Sequence, residues 1–258
     1  MPHCHTMVYL RIVLTTLVII TCLLGDNFVE LTQHPLLKAL ADNATHAAIG
    51  ALTGIAFAMQ FYERTTQLFG WILIFSCFVV SSFIDLDHFI EARSLYLEDA
   101  TNLSRRPFLH CSSIVLAMLL FYICTACLNY FRSSLLLGAL LCAFITHHTR
   151  DAVRRGYWIW PFYDHTDRIP QLAYIVGTVL TPYLLGYLHN VCRSTLVINF
   201  LGQYVKLSES NYRSGYDSAV AYRYLQQVCW EQRCWANVLQ SPLKRNPLQM
   251  SKLMSVSR

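Results

Sequence analysis

The apolar residues of this chain are gathered in long blocks rather than in short alternating patterns, near residues 7–24, 40–62, 70–88, 108–130, 134–152 and 171–188. Each block is close to the roughly 20 residues that a helix needs to cross the hydrocarbon layer. The pattern predicts helices, because a chain in lipid must satisfy its own backbone hydrogen bonds and no segment alternates like a barrel strand. The expected fold class is therefore all-α: a polytopic transmembrane bundle of about six helices over 1–191, followed by a polar C-terminal tail over 192–258. The first block contains Arg11, its lead-in MPHCHT lacks Lys and Arg, and no small-x-small cleavage site follows. A retained helix is expected there rather than a cleaved signal sequence. In the tail, Ala221, Tyr224, Leu225, Val228, Trp235 and Val238 recur at roughly helical spacing. An amphipathic helix near 219–239, lying on the membrane surface, is one expectation, and a partly disordered tail is the other.

Composition agrees with lipid as solvent. Of the 258 residues, 55% are hydrophobic and only 14% charged, against roughly 25% charged in an ordinary soluble domain. The net charge of +5 is modest, and the basic residues sit in loops and tail rather than in a run with aromatic interleaving. No nucleic-acid partner is expected; the expected partner is the lipid bilayer. Of the ten cysteines, Cys22, Cys77, Cys124, Cys127 and Cys142 lie inside apolar blocks and read as small hydrophobes. Cys124 and Cys127 form a C-x-x-C spacing with no second pair nearby, so a metal role is not expected for them.

The placement of the His and Asp residues changes the picture. Consecutive membrane helices alternate direction, so the start of the second block, the end of the third, the start of the fourth and the end of the fifth share one side. Asp42 and His46, then Asp85, Asp87 and His88, then His110, then His147 and Asp151 stand at those four places. The pairs Asp42/His46 and His147/Asp151 are each spaced i, i+4 and so share a helix face. His148, at i, i+3 from Asp151, is a weaker candidate that could replace or supplement His147. Ionisable residues in membrane segments are costly and by default mark a functional site.

Imidazole and carboxylate together suit Zn²⁺, Mn²⁺ or Fe²⁺. The expected cofactor is a divalent metal ion, Zn or Mn, held by His46, Asp85, His88, His110, His147 and Asp151. Asp85 and Asp87 are the candidate catalytic carboxylates, orienting water or acting as base while the ion polarises a phosphoryl or carbonyl oxygen. For each residue alone, capping or head-group contact is the simpler role; it is their joint placement that favours a site. His3, His5, His34, His165 and His189 lack carboxylates at matching spacing and read as ordinary surface or interface residues. Arg105, Arg106, Arg154 and Arg155 flank the same side, where they set orientation or bind phosphate.

The segments DNATHAAIG, FIDLDHFIEARS, RRPFLHCSS and THHTRDAVRRGYWIWPF occur in an order that resembles the transmembrane protein 267 family, over roughly residues 36–188. They are more distantly similar to the bacterial LexA-regulated membrane-bound metal-dependent hydrolases, whose pattern runs from an early His through D-x-D-H and H-R-G-x-T-H to H-x-x-x-D and an aromatic WPF-like stretch. By that resemblance His46 matches the early His, and Asp85, Asp87 and His88 match D-x-D-H. His110 matches the last His of the third motif, His147 with Asp151 match the fourth, and Trp160, Pro161 and Phe162 occupy the closing stretch. The resemblance implies metal-dependent hydrolase ancestry. The chain departs from it at the third motif, where Arg105, Pro107 and Leu109 replace the first His, the Gly and the Thr.

Short-loop basic residues favour the cluster side, with Lys38, Arg93, Arg105, Arg106, Arg150, Arg154, Arg155 and Arg168 against Arg64 and Arg132. The positive-inside rule then places the cluster in the cytosol; a glycan on Asn102, in the sequon Asn102-Leu103-Ser104, would show the opposite. Two function classes follow. One is a metal-dependent hydrolase of a lipid-like or phosphoester substrate. The other is a non-catalytic membrane scaffold or partner-binding protein that keeps the fold, which Arg105 in place of His favours. An ion or proton transporter ranks last, because its ionisable residues would lie near mid-membrane.

Overall fold

The computed structural model describes residues 2–162 and 165–211, so the amphipathic helix expected near 219–239 lies outside the described residues. By contacts the chain divides into Met1–Leu196 and Val197–Arg258, and everything below concerns the first unit unless stated. The described residues are helical, without a β-strand. The long helices are α1 (Pro2–Leu31), α2 (Pro35–Ala58), α3 (Gln67–Phe83), α7 (Phe131–Arg155) and α8 (Gln171–Asn211). Between α3 and α7 lie the short α4 (Asp87–Ala92) and α5 (Leu97–Thr101), then α6 (Ser112–Cys127). Helix α8 continues to Asn211, where the second unit's description ends.

Five stretches are long and apolar enough to span a bilayer: Thr6–Leu31, Pro35–Arg64, Gln67–Ala92, Phe131–Arg155 and Gln171–Ser194; Ser112–Cys127 is a shorter apolar helix. This is a multi-pass membrane protein, and the six apolar blocks correspond to these elements. Their outer faces carry large exposed hydrophobics, among them Trp71, Phe75, Phe78, Leu120 and Leu184, which lipid rather than water would cover.

Local sequence sets the helix ends. Pro35 begins α2 at a position where the missing N–H costs nothing. The Thr66 hydroxyl caps α3 by accepting from the Phe69 amide at 3.3 Å. Gly156 ends α7 with φ of 69°, a conformation that favours glycine. At Ile84–Leu86 the third span tightens into a 3-10 turn before continuing as α4, which turns Asp85 and Asp87 inward.

Helix α2 lies at the centre, packed on α1, α3 and α7, while α7 also packs on α3 and α6. Gly50 and Gly54 of α2 let its backbone approach α3. A Cβ on Gly50 would stand 2.7 Å from the Cys77 carbonyl, and one on Gly54 2.7 Å from the Cys77 Cβ. This small-xxx-small spacing is how membrane helices gain close van der Waals contact without a hydrophobic driving force. The apolar core of Phe57, Phe61, Leu73, Tyr122, Leu135 and Leu141 fills the bundle on the side away from the His/Asp residues. His189, fully buried, belongs to that side too, with Phe61 and Phe131 edge-on to its ring at 5.0 and 5.7 Å.

Candidate metal centre

The donors come from α2 (His46), the α3–α4 turn (Asp85, Asp87, His88), the 3-10 turn Phe108–His110, and α7 (His147, Asp151). Backbone and side-chain bonds fix two of the imidazoles, those of His147 and His110. The His147 Nδ1 donates to the Ser81 carbonyl at 3.1 Å, which leaves its Nε2 as the lone-pair nitrogen. The His110 Nδ1 faces Asp87 Oδ2 at 3.3 Å, and the same carboxylate oxygen accepts the Leu109 amide at 2.7 Å. Asp87 thus orients His110, in the carboxylate–histidine arrangement that fixes a ligating ring.

The freed atoms then meet. His110 Nε2 lies 3.3 Å from His147 Nε2, 3.3 Å from Asp85 Oδ1 and 3.3 Å from Asp151 Oδ2. His147 Nε2 lies 3.4 Å from Asp85 Oδ1 and 3.5 Å from Asp151 Oδ2. A tetrahedron around an ion with bonds of roughly 2.0–2.1 Å has edges of about 3.3–3.4 Å, so these spacings suit one ion among Asp85, His110, His147 and Asp151. Lone pairs crowded this closely need positive charge among them, supplied by a cation or by a proton on an imidazole. Burial disfavours the charged form of His110, but bonds to Asp151, Asp85 and Asp87 outweigh it and push its pKa up to about 11. A second, smaller group of Asp87, His88 and His110 adjoins the first. His46 Nε2, Asp87 Oδ1 and His88 Nδ1 are buried without a well-formed hydrogen bond, and meet only in ion-pair contacts, His88 Nδ1 with Asp87 Oδ1 at 3.2 Å and His46 Nε2 with Asp151 Oδ1 at 3.5 Å.

The remaining sequence candidates take distinct places. His46 is stacked on His147, with ring centroids 3.8 Å apart, and its Nε2 is 3.5 Å from Asp151 Oδ1, outside the four-atom group. His88 reaches Asp87 at 3.2 Å and Asp85 at 4.0 Å. His148 is occupied elsewhere, bonding the Leu109 carbonyl at 2.8 Å and the Ser112 hydroxyl at 3.3 Å, so it holds the start of α6 instead. Asp42 does not join the cluster: Arg150 takes its carboxylate at 2.7 Å and Arg154 at 3.2 Å. Arg105 is exposed.

A network that the sequence did not reveal surrounds the donors. Buried Arg150 joins Asp26 of α1, at 2.8 Å, to Asp42 of α2, while Arg154 joins Asp42 to Asp151 at 2.7 Å. The spacing of Arg150 and Arg154, one turn apart on the His147/Asp151 helix, was the available signal. The loop after α7 closes the site: the Trp158 carbonyl accepts the Ser112 amide at 2.7 Å, and the Trp160 carbonyl accepts the Ser113 hydroxyl at 2.6 Å. Between this loop and the donors is a cavity of about 30 Å³ lined by His88, His110, Asp151, Arg106 and Arg155 among others. It has room for a water.

Residues 42–212 match the YdjM inner membrane protein family. The chain is similar to transmembrane protein 267 of Mus musculus, with 36% identity over 179 residues, covering 66% of this chain and 78% of the relative. Against the Danio rerio protein of that name the identity is 36% over 177 residues, 65% of this chain and 75% of the relative. Against that of Bos taurus it is 31% over 173 residues, 64% and 77%. No solved structure matches.

Proposed function

This chain belongs to the YdjM inner membrane protein family and to the transmembrane protein 267 family, and we propose that it is a metal-dependent hydrolase working at one membrane face. The observation that carries this reading is the set of 3.3–3.5 Å separations among His110, His147, Asp85 and Asp151 donor atoms. The two-nitrogen, two-oxygen set suits Zn²⁺ first and Mn²⁺ second. When bound, such an ion acidifies a water and polarises a phosphoryl or carbonyl oxygen.

This chain's residues do the rest. Asp87 holds His110 in orientation, the Ser81 carbonyl does so for His147, and Arg154 braces Asp151. The 30 Å³ cavity beside His110 and Asp151 admits a water. The substrate class is a lipid-like or phosphoester molecule reached from the membrane face, and the excess of basic residues on that face supports a cytosolic orientation.

A second reading, a non-catalytic bundle with one structural ion, is favoured by a specific feature: the group offers four protein donors, enough to occupy every position of a four-coordinate ion, as in closed structural sites. Metal analysis of the purified full-length protein, followed by hydrolysis assays on ester and phosphoester panels, tests both. Stoichiometric metal with turnover lost in Asp85→Asn supports the hydrolase. Metal without turnover selects the structural ion, and absence of stoichiometric metal from the unmodified protein ends both.

A further inference from the structure

A second, larger cavity of about 460 Å³ adjoins the small one, with Arg106 and Arg155 lining both. Its volume lies within the range of small-molecule sites. Four guanidinium groups, Arg106, Arg154, Arg155 and Arg168, line it together with His165, against the single carboxylate Asp167 among the described residues. Their partners are unequal. Arg154 is committed to Asp42 and Asp151. Arg106 is fixed in place by donating to the Gly156 carbonyl at 3.1 Å and to the Arg155 carbonyl, which leaves further N–H donors on a half-buried cation. Arg155 and Arg168 are exposed, and neither is within ion-pair distance of a described carboxylate.

Among the described residues, positive charge is thus held together by the fold with too little negative charge to balance it. Burial and the neighbouring Arg155 both lower the pKa of Arg106, with only Asp151 opposing them. A site of this kind gains from an incoming anion. Guanidinium is the side chain best matched to phosphate, since its planar fork engages two oxygens at once.

We propose that this cavity binds a phosphate group, held by Arg106, Arg155 and Arg168, so that a phosphate-bearing molecule is positioned against the His/Asp centre. The inference rests on the hydrolase reading for its purpose but not for its binding chemistry. A lipid head group and a free phosphate present the same oxygens, and the cavity's place at the membrane face suits either.

The test uses full-length protein in phosphatidylcholine nanodiscs, titrated with inorganic phosphate and, in a second arm, prepared with phosphatidic acid in the bilayer. Metal content is measured on the same samples. Binding of at least one probe is expected, weakened by about tenfold or more in Arg155→Gln with Arg168→Gln, at unchanged metal content. Tighter capture of phosphatidic acid than of phosphate identifies a lipid head group as the source, and equal binding identifies the free anion. Failure of both probes to bind the unmodified protein, or equal binding by the double variant, overturns the inference. Phosphate binding that survives in protein without metal supports the anion site while removing the hydrolase reading, so the two fail separately.

Discussion

The imidazoles of His46 and His147 lie face to face, 3.8 Å between centroids and 21° from parallel. Stacking at that distance penalises charge on both rings and presses His147 into the orientation that aims its Nε2 at Asp85 and Asp151. His46→Ala is therefore expected to lower metal affinity by about 10–100-fold, the usual effect of removing an orienting group, whereas His147→Ala abolishes stoichiometric binding. His46→Phe, which keeps a stacking ring, falls between wild type and His46→Ala. Competition titration with a chelating dye distinguishes these outcomes.

Metal uptake is expected to release a proton from His110. Its pKa, raised from 6.5 to about 11, means that the metal-free site keeps that proton at neutral pH, and a metal must displace it. Apparent affinity then rises with pH across the window from about 7 upward. The sign for the metal-free fold is opposite: a raised pKa adds stability that is full below 6.5 and fades as pH climbs toward about 11. Calorimetry of metal binding in buffers of differing ionisation enthalpy counts the proton, and a buffer-independent heat would contradict the expectation.

Arg150 is expected to be the most sensitive charge in the bundle. With its side chain 3% exposed and joined to both Asp26 and Asp42, Arg150→Ala strands Asp26 and leaves Asp42 to Arg154 alone, and should cost about 3–5 kcal/mol. Replacing the whole unit by Arg150→Met, Asp26→Leu and Asp42→Leu should recover most of that loss, because the stranded charges go with their partner. Thermal unfolding in detergent reads the difference.

Close helix packing gives a contrast between two glycines. Gly50 has no room, since a Cβ there meets the Ser81 hydroxyl and the Cys77 carbonyl, whereas nothing lies within 4 Å of one on Gly70. Gly50→Leu is expected to push α3 away, and with it the Ser81 carbonyl that orients His147. Both thermal stability and metal content should fall. Gly70→Ala should leave metal content unchanged and shift stability by no more than about 0.5 kcal/mol.

Much of this arrangement could be read from the chain, because span direction is a matter of counting and the reversal of successive helices brings His46, Asp85, His110, His147 and Asp151 to one end. Side-chain partnership is not a matter of counting. Asp42 matches His46 in spacing, yet buried Arg150 and exposed Arg154 of α7 claim its carboxylate. Asp26 lies beyond the apolar block, which ends at 24, yet within α1, which carries on to Leu31. His148 and His147 are adjacent in sequence and were separable only once the start of α6 lay beside one of them. His189 looks like a surface residue when no carboxylate stands near it in sequence, and aromatic rings rather than charges enclose it.

The four-atom group draws on segments as distant as Asp85 and Asp151, which has a consequence for synthesis at the translocon. At roughly 5–20 residues per second, several seconds separate emergence of the aspartates of the third span from that of their imidazole partners on α7. During that interval the nascent chain carries anionic side chains at the lipid boundary with His46, His88 and then His110 as the nearby imidazoles. Its early spans are thus incomplete by design, and closure of the bundle waits for the arrival of Phe131–Arg155.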